Sequence, residues 1–219
     1  MYVLHITNDY SGSKVYMNLF QQLDELGIKQ IVYHPIKDKN NIGKNKISFK
    51  ERESKLIYSK PINPIIGRIF YRQKIHKTLS DIEMKVDFSN ISLIHAHTWY
   101  SDGGVAYLLS KKYNIPYIIA ARNTDLNVFY KYLIHQRNFG KKILGNASKI
   151  IVISKIYINR LLKDQYLKNI VQNKTEAIQS GVDSFWINNI MLKKKAFEPQ
   201  IIYVGNFNKG KNIVNLISF

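Results

Sequence analysis

The chain has 219 residues, 45% hydrophobic and 22% charged, which is enough apolar material for a packed core and excludes a disordered or fibrous chain. Its 33 basic and 15 acidic residues give a formal charge of +18. That excess favours anionic partners such as nucleic acid, acidic lipid or phosphorylated ligands without choosing among them, and the wealth of Asn, Ile and Tyr is equally what a biased codon usage produces. The absence of cysteine excludes disulfides, thiolate metal sites and a cysteine nucleophile. Neither a membrane-spanning run nor a secretory leader is predicted, so the expected compartment is the cytoplasm.

In chain order, Tyr2 to Thr7 is a short apolar run that predicts a buried strand, followed by the turn and capping residues Asn8 to Ser13. Val15, Leu19, Leu23 and Leu26 then recur at helical spacing, Gly27 ends the helix, and Ile28 to Tyr33 predicts a second strand. From Lys37 to Lys60 the chain is rich in Lys and Asn, which predicts exposed, insertion-tolerant loops with an edge strand at Leu56 to Ser59. After Pro61, the stripe Ile62, Ile65, Ile66, Ile69, Phe70, Leu79, Ile82 and Val86 predicts an amphipathic helix. Arg68, Arg72, Lys74 and Lys77 make its other face basic, which suits either a solvated face of a helix covering the sheet or docking to an acidic membrane.

Further strands are predicted at Ile91–Ala96, Tyr117–Ala121, Ile150–Ile153 and Thr175–Gln179, with helical segments between most of them. Continuous apolar strands alternating with helices define an open parallel α/β sheet of the Rossmann type, with helices on both faces. This domain is expected to span residues 1–188, with a polar linker at 189–199. A new strand from Gln200 and a helix start fill 200–219, too little to form a core, so this second domain is expected to be truncated.

Ligands of such sheets bind beyond the carboxyl ends of the strands, near the point where the strand order reverses. The first loop offers Gly12 for close backbone approach to a phosphate and Ser13 at a helix start, although a plain capped turn reads the same way. His95 and His97 share a strand face, but with no third ligand evident beside them no metal site is expected. One of the two is expected as a buried, hydrogen-bonded histidine, and His97, nearer the strand end, also suits a sugar or phosphate. Arg122 suits an anionic ligand, with Asn123 and Asp125 suited to hydroxyls or, through Asn123-Thr124-Asp125, to capping the next helix. No Ser-His-Asp order or nucleophile elbow is present, which argues against a hydrolase.

Taken in order, several segments resemble the N-terminal part of the family 4 glycosyltransferases, retaining enzymes of the GT-B fold. They are Ser11-Gly12-Ser13, Ile94-His95-Ala96-His97, Asn114 to Ile119, Ala147 to Ser154, Gln179 to Asp183, and Ile202 to Gly205 followed by Lys209 to Ile213. The chain departs from the family pattern at Gly12-Ser13, where many members have two glycines, at Arg122, where many have histidine, and at Asn206, where arginine is usual. The family's Glu-x7-Glu donor motif would fall beyond Phe219.

The resemblance implies transfer of a sugar from a nucleotide-sugar donor to a glycan or lipid-linked acceptor, with retention of configuration and without a cofactor or obligatory metal. It places Gly12, Ser13 and Lys209 near phosphates, His97 and Arg122 near the reacting sugar and acceptor, and Asn123 and Asp125 on acceptor hydroxyls. A lipid-linked acceptor would suit a peripheral position on an anionic membrane surface, as in polysaccharide synthesis. Two alternatives remain at this level: a non-catalytic fragment that binds acceptor or membrane, and a basic nucleic-acid binder, for which no motif of suitable spacing is found.

Overall fold

The computed structural model describes residues 1–36, 38–59, 70–190, 202–205 and 212–217. The chain divides into two units, Met1–Gly181 and Val182–Phe219. In the second, Asp183 caps a short helix, Ser184–Asn188, by accepting from the Phe185 amide at 2.9 Å, and a further helix spans Ile213–Ile217. The linker predicted at 189–199 and Asn206 to Lys211 fall almost wholly outside the described residues.

Seven parallel strands build the first unit: β1 (Tyr2–Ile6), β2 (Lys29–His34), β3 (Lys55–Tyr58), β4 (Leu93–Ala96), β5 (Tyr117–Ala120), β6 (Lys149–Val152) and β7 (Thr175–Ala177). Their order is β3-β2-β1-β4-β5-β6-β7, so the chain builds outward on one side of β1 and then returns to build outward on the other. The reversal lies between β1 and β4, which pair from Val3 opposite Leu93 to Ile6 opposite Ala96.

Apolar side chains alternate between the two sheet faces. Leu4, Ile6, Ile94, Ile119, Ile150 and Val152 point into the larger core. That core is covered by α2 (Tyr71–Lys85), α3 (Ser101–Tyr113), α4 (Arg137–Asn146), α5 (Lys155–Lys163) and α6 (Lys168–Val171), which bury residues such as Ile75, Leu109, Ile143, Leu161 and Val171 in it. On the opposite face α1 (Lys14–Glu25) packs Tyr16 and Phe20 over Val32. The helix stops as predicted at Gly27, whose φ of 71° is left-handed and whose N–H bonds the Asp24 carbonyl at 3.0 Å.

Residues 38–54 are largely exposed, as their Lys- and Asn-rich composition predicts, and are also fastened to the α1 side of the sheet. Ile47 is buried, and the Asn45 amide donates to the carbonyls of Tyr10 at 3.0 Å and Ser11 at 3.3 Å. The Tyr10 hydroxyl donates in return to the Asn45 carbonyl, while buried Asp24 accepts from the amides of Lys50 at 2.6 Å and Glu51 at 3.2 Å.

The described half of the amphipathic helix, α2, covers the sheet with Tyr71, Ile75, Thr78 and Ile82. Two of its cations are engaged within the domain: Arg72 lies 3.7 Å over the Phe139 ring and donates to Gln136, and Lys74 reaches the Ser101 hydroxyl at 3.3 Å. Ile62, Ile65, Ile66, Arg68 and Ile69 lie outside the described residues.

Gly140 marks the tightest helix packing against the β4 loop. A Cβ there would stand 2.6 Å from the hydroxyl oxygen of Tyr100, whose ring is fully buried, and the Gly140 carbonyl accepts from the Trp99 indole at 2.9 Å. Gly140→Ala is expected to destabilise the domain by roughly 1–2 kcal/mol, because overpacking outweighs the helix propensity gained. A urea midpoint unchanged or raised in this variant would overturn that packing argument.

Candidate functional site

The carboxyl ends of β1, β4 and β5 converge at the strand reversal, and the polar residues predicted after those strands gather there. Asp125 organises the cluster. Its carboxylate is buried and accepts three backbone N–H groups, from Trp99 at 2.9 Å, Tyr100 at 3.1 Å and Arg122 at 2.9 Å. Burial pushes its pKa up, and those hydrogen bonds with the nearby Arg122 charge act against the rise. A carboxylate so committed ties the β4 and β5 loops together. The Asn123-Thr124-Asp125 segment makes no side-chain cap on the helical turn that follows, a π turn over Asp125–Phe129.

The structure brings His97 and Arg122 together. The Arg122 Nε donates to the His97 carbonyl at 3.3 Å, and its guanidinium lies 5.7 Å from the centre of the Tyr16 ring. Arg122 remains partly exposed, whereas the His97 ring is fully buried against the edges of Tyr16 and Phe20. Its Nε2 lies 3.1 Å from the Nδ1 of His5, and its ring stacks on His95 with centroids 4.0 Å apart. Burial, with neighbouring imidazoles and Arg122, holds the His97 pKa well below the usual value, and burial with Arg122 takes His95 down to about 3. The three imidazoles are therefore neutral at physiological pH. One nitrogen from each lies within 4.8 Å of the others, so they constitute a set able to hold a metal ion.

Asn123 is exposed and belongs to a surface network: its Oδ1 accepts from the Tyr157 hydroxyl at 3.0 Å and from Asn127, which in turn accepts from Arg160 at 2.5 Å. Gly12 is exposed at the end of the turn Tyr10–Gly12, where a side chain would meet Asp9 Oδ1 at 2.9 Å. Ser13 caps α1 by accepting from the Val15 amide at 3.3 Å, the ordinary reading of such a residue. Lys209 lies outside the described residues.

Two residues at this edge are absent from the sequence-based expectations. His5 is the polar interruption of an otherwise apolar first strand, and register sets it opposite His95. Asp102, at the start of α3, is buried beside the first loop, accepts from the Asn8 amide at 3.3 Å, and has a pKa pushed up to about 7 by burial. An acidic residue opening a helix directly after a strand end was the available signal for it.

Beside the edge, a cleft of about 220 Å³ lies between the Asp125–Tyr132 turns and α5. Lys131, Arg137 and Arg160 line it, with Asp164 accepting from the Tyr130 hydroxyl at 2.8 Å. Among the described residues no helix is long and apolar enough to cross a membrane.

A doubly wound parallel domain with its polar residues massed at the strand reversal is the architecture of a nucleotide- or sugar-handling half-domain. The profile of Glycosyltransferase Family 4 matches residues 12–184, and the chain belongs to that family. A stretch of 62 residues is 34% identical to the teichuronic acid biosynthesis glycosyltransferase TuaC of Bacillus subtilis, covering 28% of this chain and 16% of that protein. Among solved structures, a sucrose-phosphate synthase from Thermosynechococcus elongatus superposes with a TM-score of 0.58 at 18% identity, over 85% of this chain and 93% of that one. Arabidopsis thaliana UGT89C1 complexed with UDP-L-rhamnose gives 0.52 at 13% identity, over 87% of this chain and 56% of that one. The fold is the Rossmann-like half of the GT-B glycosyltransferases, as the sequence reading expects.

Proposed function

We infer that this chain is the acceptor-side half of a retaining glycosyltransferase that moves a sugar from a nucleotide-sugar donor to a glycan or lipid-linked acceptor. The observation that carries the reading is the coincidence of the family match over 12–184 with a partly exposed arginine, Arg122, fixed at the strand reversal. Such a transfer depends on stabilising charge on the departing diphosphate, which a fixed guanidinium supplies without a metal. His97, with its ring buried, acts through its carbonyl as a positioning residue for Arg122. Asn123 and the Tyr157 hydroxyl present an exposed polar pair to acceptor hydroxyls. Gly12 leaves backbone free to approach a phosphate. The likeness to TuaC supports a role in cell-surface polysaccharide synthesis. Exposed Tyr132 and Ile134 beside Lys131 and Arg137 support a cytoplasmic protein resting on an anionic membrane.

The test is nucleotide release from a panel of UDP- and GDP-sugars, with lipid extract as acceptor and EDTA present, on the product of the whole reading frame. Release is expected, and Arg122→Ala should lower kcat/KM by about 10²–10³-fold, the usual loss of one oriented charge donor. Unaltered turnover in that variant, or no release with any donor, would remove the assignment and leave an acceptor-binding protein on the same fold.

A further inference from the structure

The histidines at the strand reversal do more than fill space. His5 stands directly opposite His95 across the β1–β4 pairing, and His97, two residues beyond His95, returns to the same face. His5 Nδ1 and His97 Nε2 are 3.1 Å apart, and one nitrogen from each of the three rings falls within a 4.8 Å span. Three other polar contacts are missing: His5 Nε2, His95 Nε2 and His97 Nδ1 are buried with no partner among the described residues. Buried polar atoms are nearly always satisfied; His95 Nε2 is bare within the cluster, while the bare His5 Nε2 and His97 Nδ1 are the far nitrogens of the pair that faces each other.

We propose that His5, His95 and His97 form a site for one transition-metal ion, each imidazole supplying one nitrogen. An all-imidazole set selects Zn²⁺, Co²⁺, Ni²⁺ or Cu²⁺ and rejects Mg²⁺ and Ca²⁺, which require oxygen ligands. Tetrahedral zinc holds its nitrogens about 3.3 Å apart at bonds of about 2.0–2.1 Å, so an ion would replace the proton shared by His5 Nδ1 and His97 Nε2, 3.1 Å apart, with a nitrogen of His95 within 4.8 Å as the third ligand. Burial keeps all three rings in the neutral, ligating form. The ion bolts β1 to β4 where the chain reverses, a structural role independent of the sugar transfer proposed above.

The experiment uses the tag-free chain stripped with chelator and titrated with Zn²⁺ and Co²⁺, by calorimetry and by thermal unfolding. One equivalent should bind and raise Tm, with Mg²⁺ doing neither. His95→Ala, at the half-buried position, should weaken binding at least about tenfold while its circular dichroism stays native. Exchange of the two exposed histidines, His76→Ala with His135→Ala, should leave binding intact. In the unaltered chain, imidazole NMR signals of the three buried rings should shift on adding Zn²⁺, a readout that needs no variant. Absence of stoichiometric binding, or binding lost with His76 and His135 and kept without His95, would overturn the site.

Discussion

Asp125→Ala is expected to lower the unfolding free energy by about 3–5 kcal/mol, the range for stripping one partner from a buried, hydrogen-bonded charge. The reason lies in what the carboxylate holds. Amides from the β4 loop, at Trp99 and Tyr100, and from the β5 loop, at Arg122, converge on its two oxygens, and an alanine leaves all three without an acceptor. Trp99 and Tyr100 are fully buried, so water does not readily replace the lost bonds. Asp125→Asn keeps one carbonyl oxygen and should recover part of the loss. Urea unfolding followed by circular dichroism decides the matter: a loss under about 1 kcal/mol in the alanine variant would mean that the loops are held by other contacts. The same substitution frees the Arg122 backbone, so under the proposed function transfer should fall along with stability.

That role was hidden in the sequence for a physical reason. Asn123-Thr124-Asp125 at a strand end reads locally as a cap or as a set of hydroxyl binders, and both readings use neighbours within a few residues. The partners of Asp125 instead include two amides that lie 25 and 26 residues earlier, supplied by the adjacent strand. Apolar runs, by contrast, are local signals, and each predicted strand from Tyr2 to Thr175 is found within a few residues of its expected place. The edge strand near Leu56 is also found, as Lys55–Tyr58. His5 fell between the two cases. It was visible as a polar residue in an apolar strand, but its significance needed the β1–β4 register, which places the first strand beside the fourth and not only the second. Composition reports the solvent exposure that most of the Lys- and Asn-rich segment has, and says nothing of two anchors, Asn45 and Asp24.

Asp102→Asn is expected to act in the opposite direction, stabilising the domain by roughly 2–4 kcal/mol at pH 8 and by little at pH 4. The folded-state pKa of Asp102 is raised to about 7, chiefly by burial, against an ordinary value of 3.8. Between those values the unfolded chain has released a proton that the folded protein keeps. Rising pH therefore favours unfolding: stability is greatest below about 4, falls as pH climbs toward 7, and levels off above it. The charged groups that act on this carboxyl oppose one another, Lys74 of α2 favouring ionisation and Asp125 disfavouring it. Asparagine keeps an oxygen for the Asn8 amide, removes the charge, and so removes the pH-dependent loss. Melting curves of both proteins from pH 4 to 8 test this, and a difference that does not grow with pH would show that Asp102 is not the source of the slope. A buried carboxyl with a pKa raised to about 7 beside the first loop is a candidate for acting on a bound ligand. Under the proposed function, the stabilised Asp102→Asn protein is expected to transfer sugar more slowly.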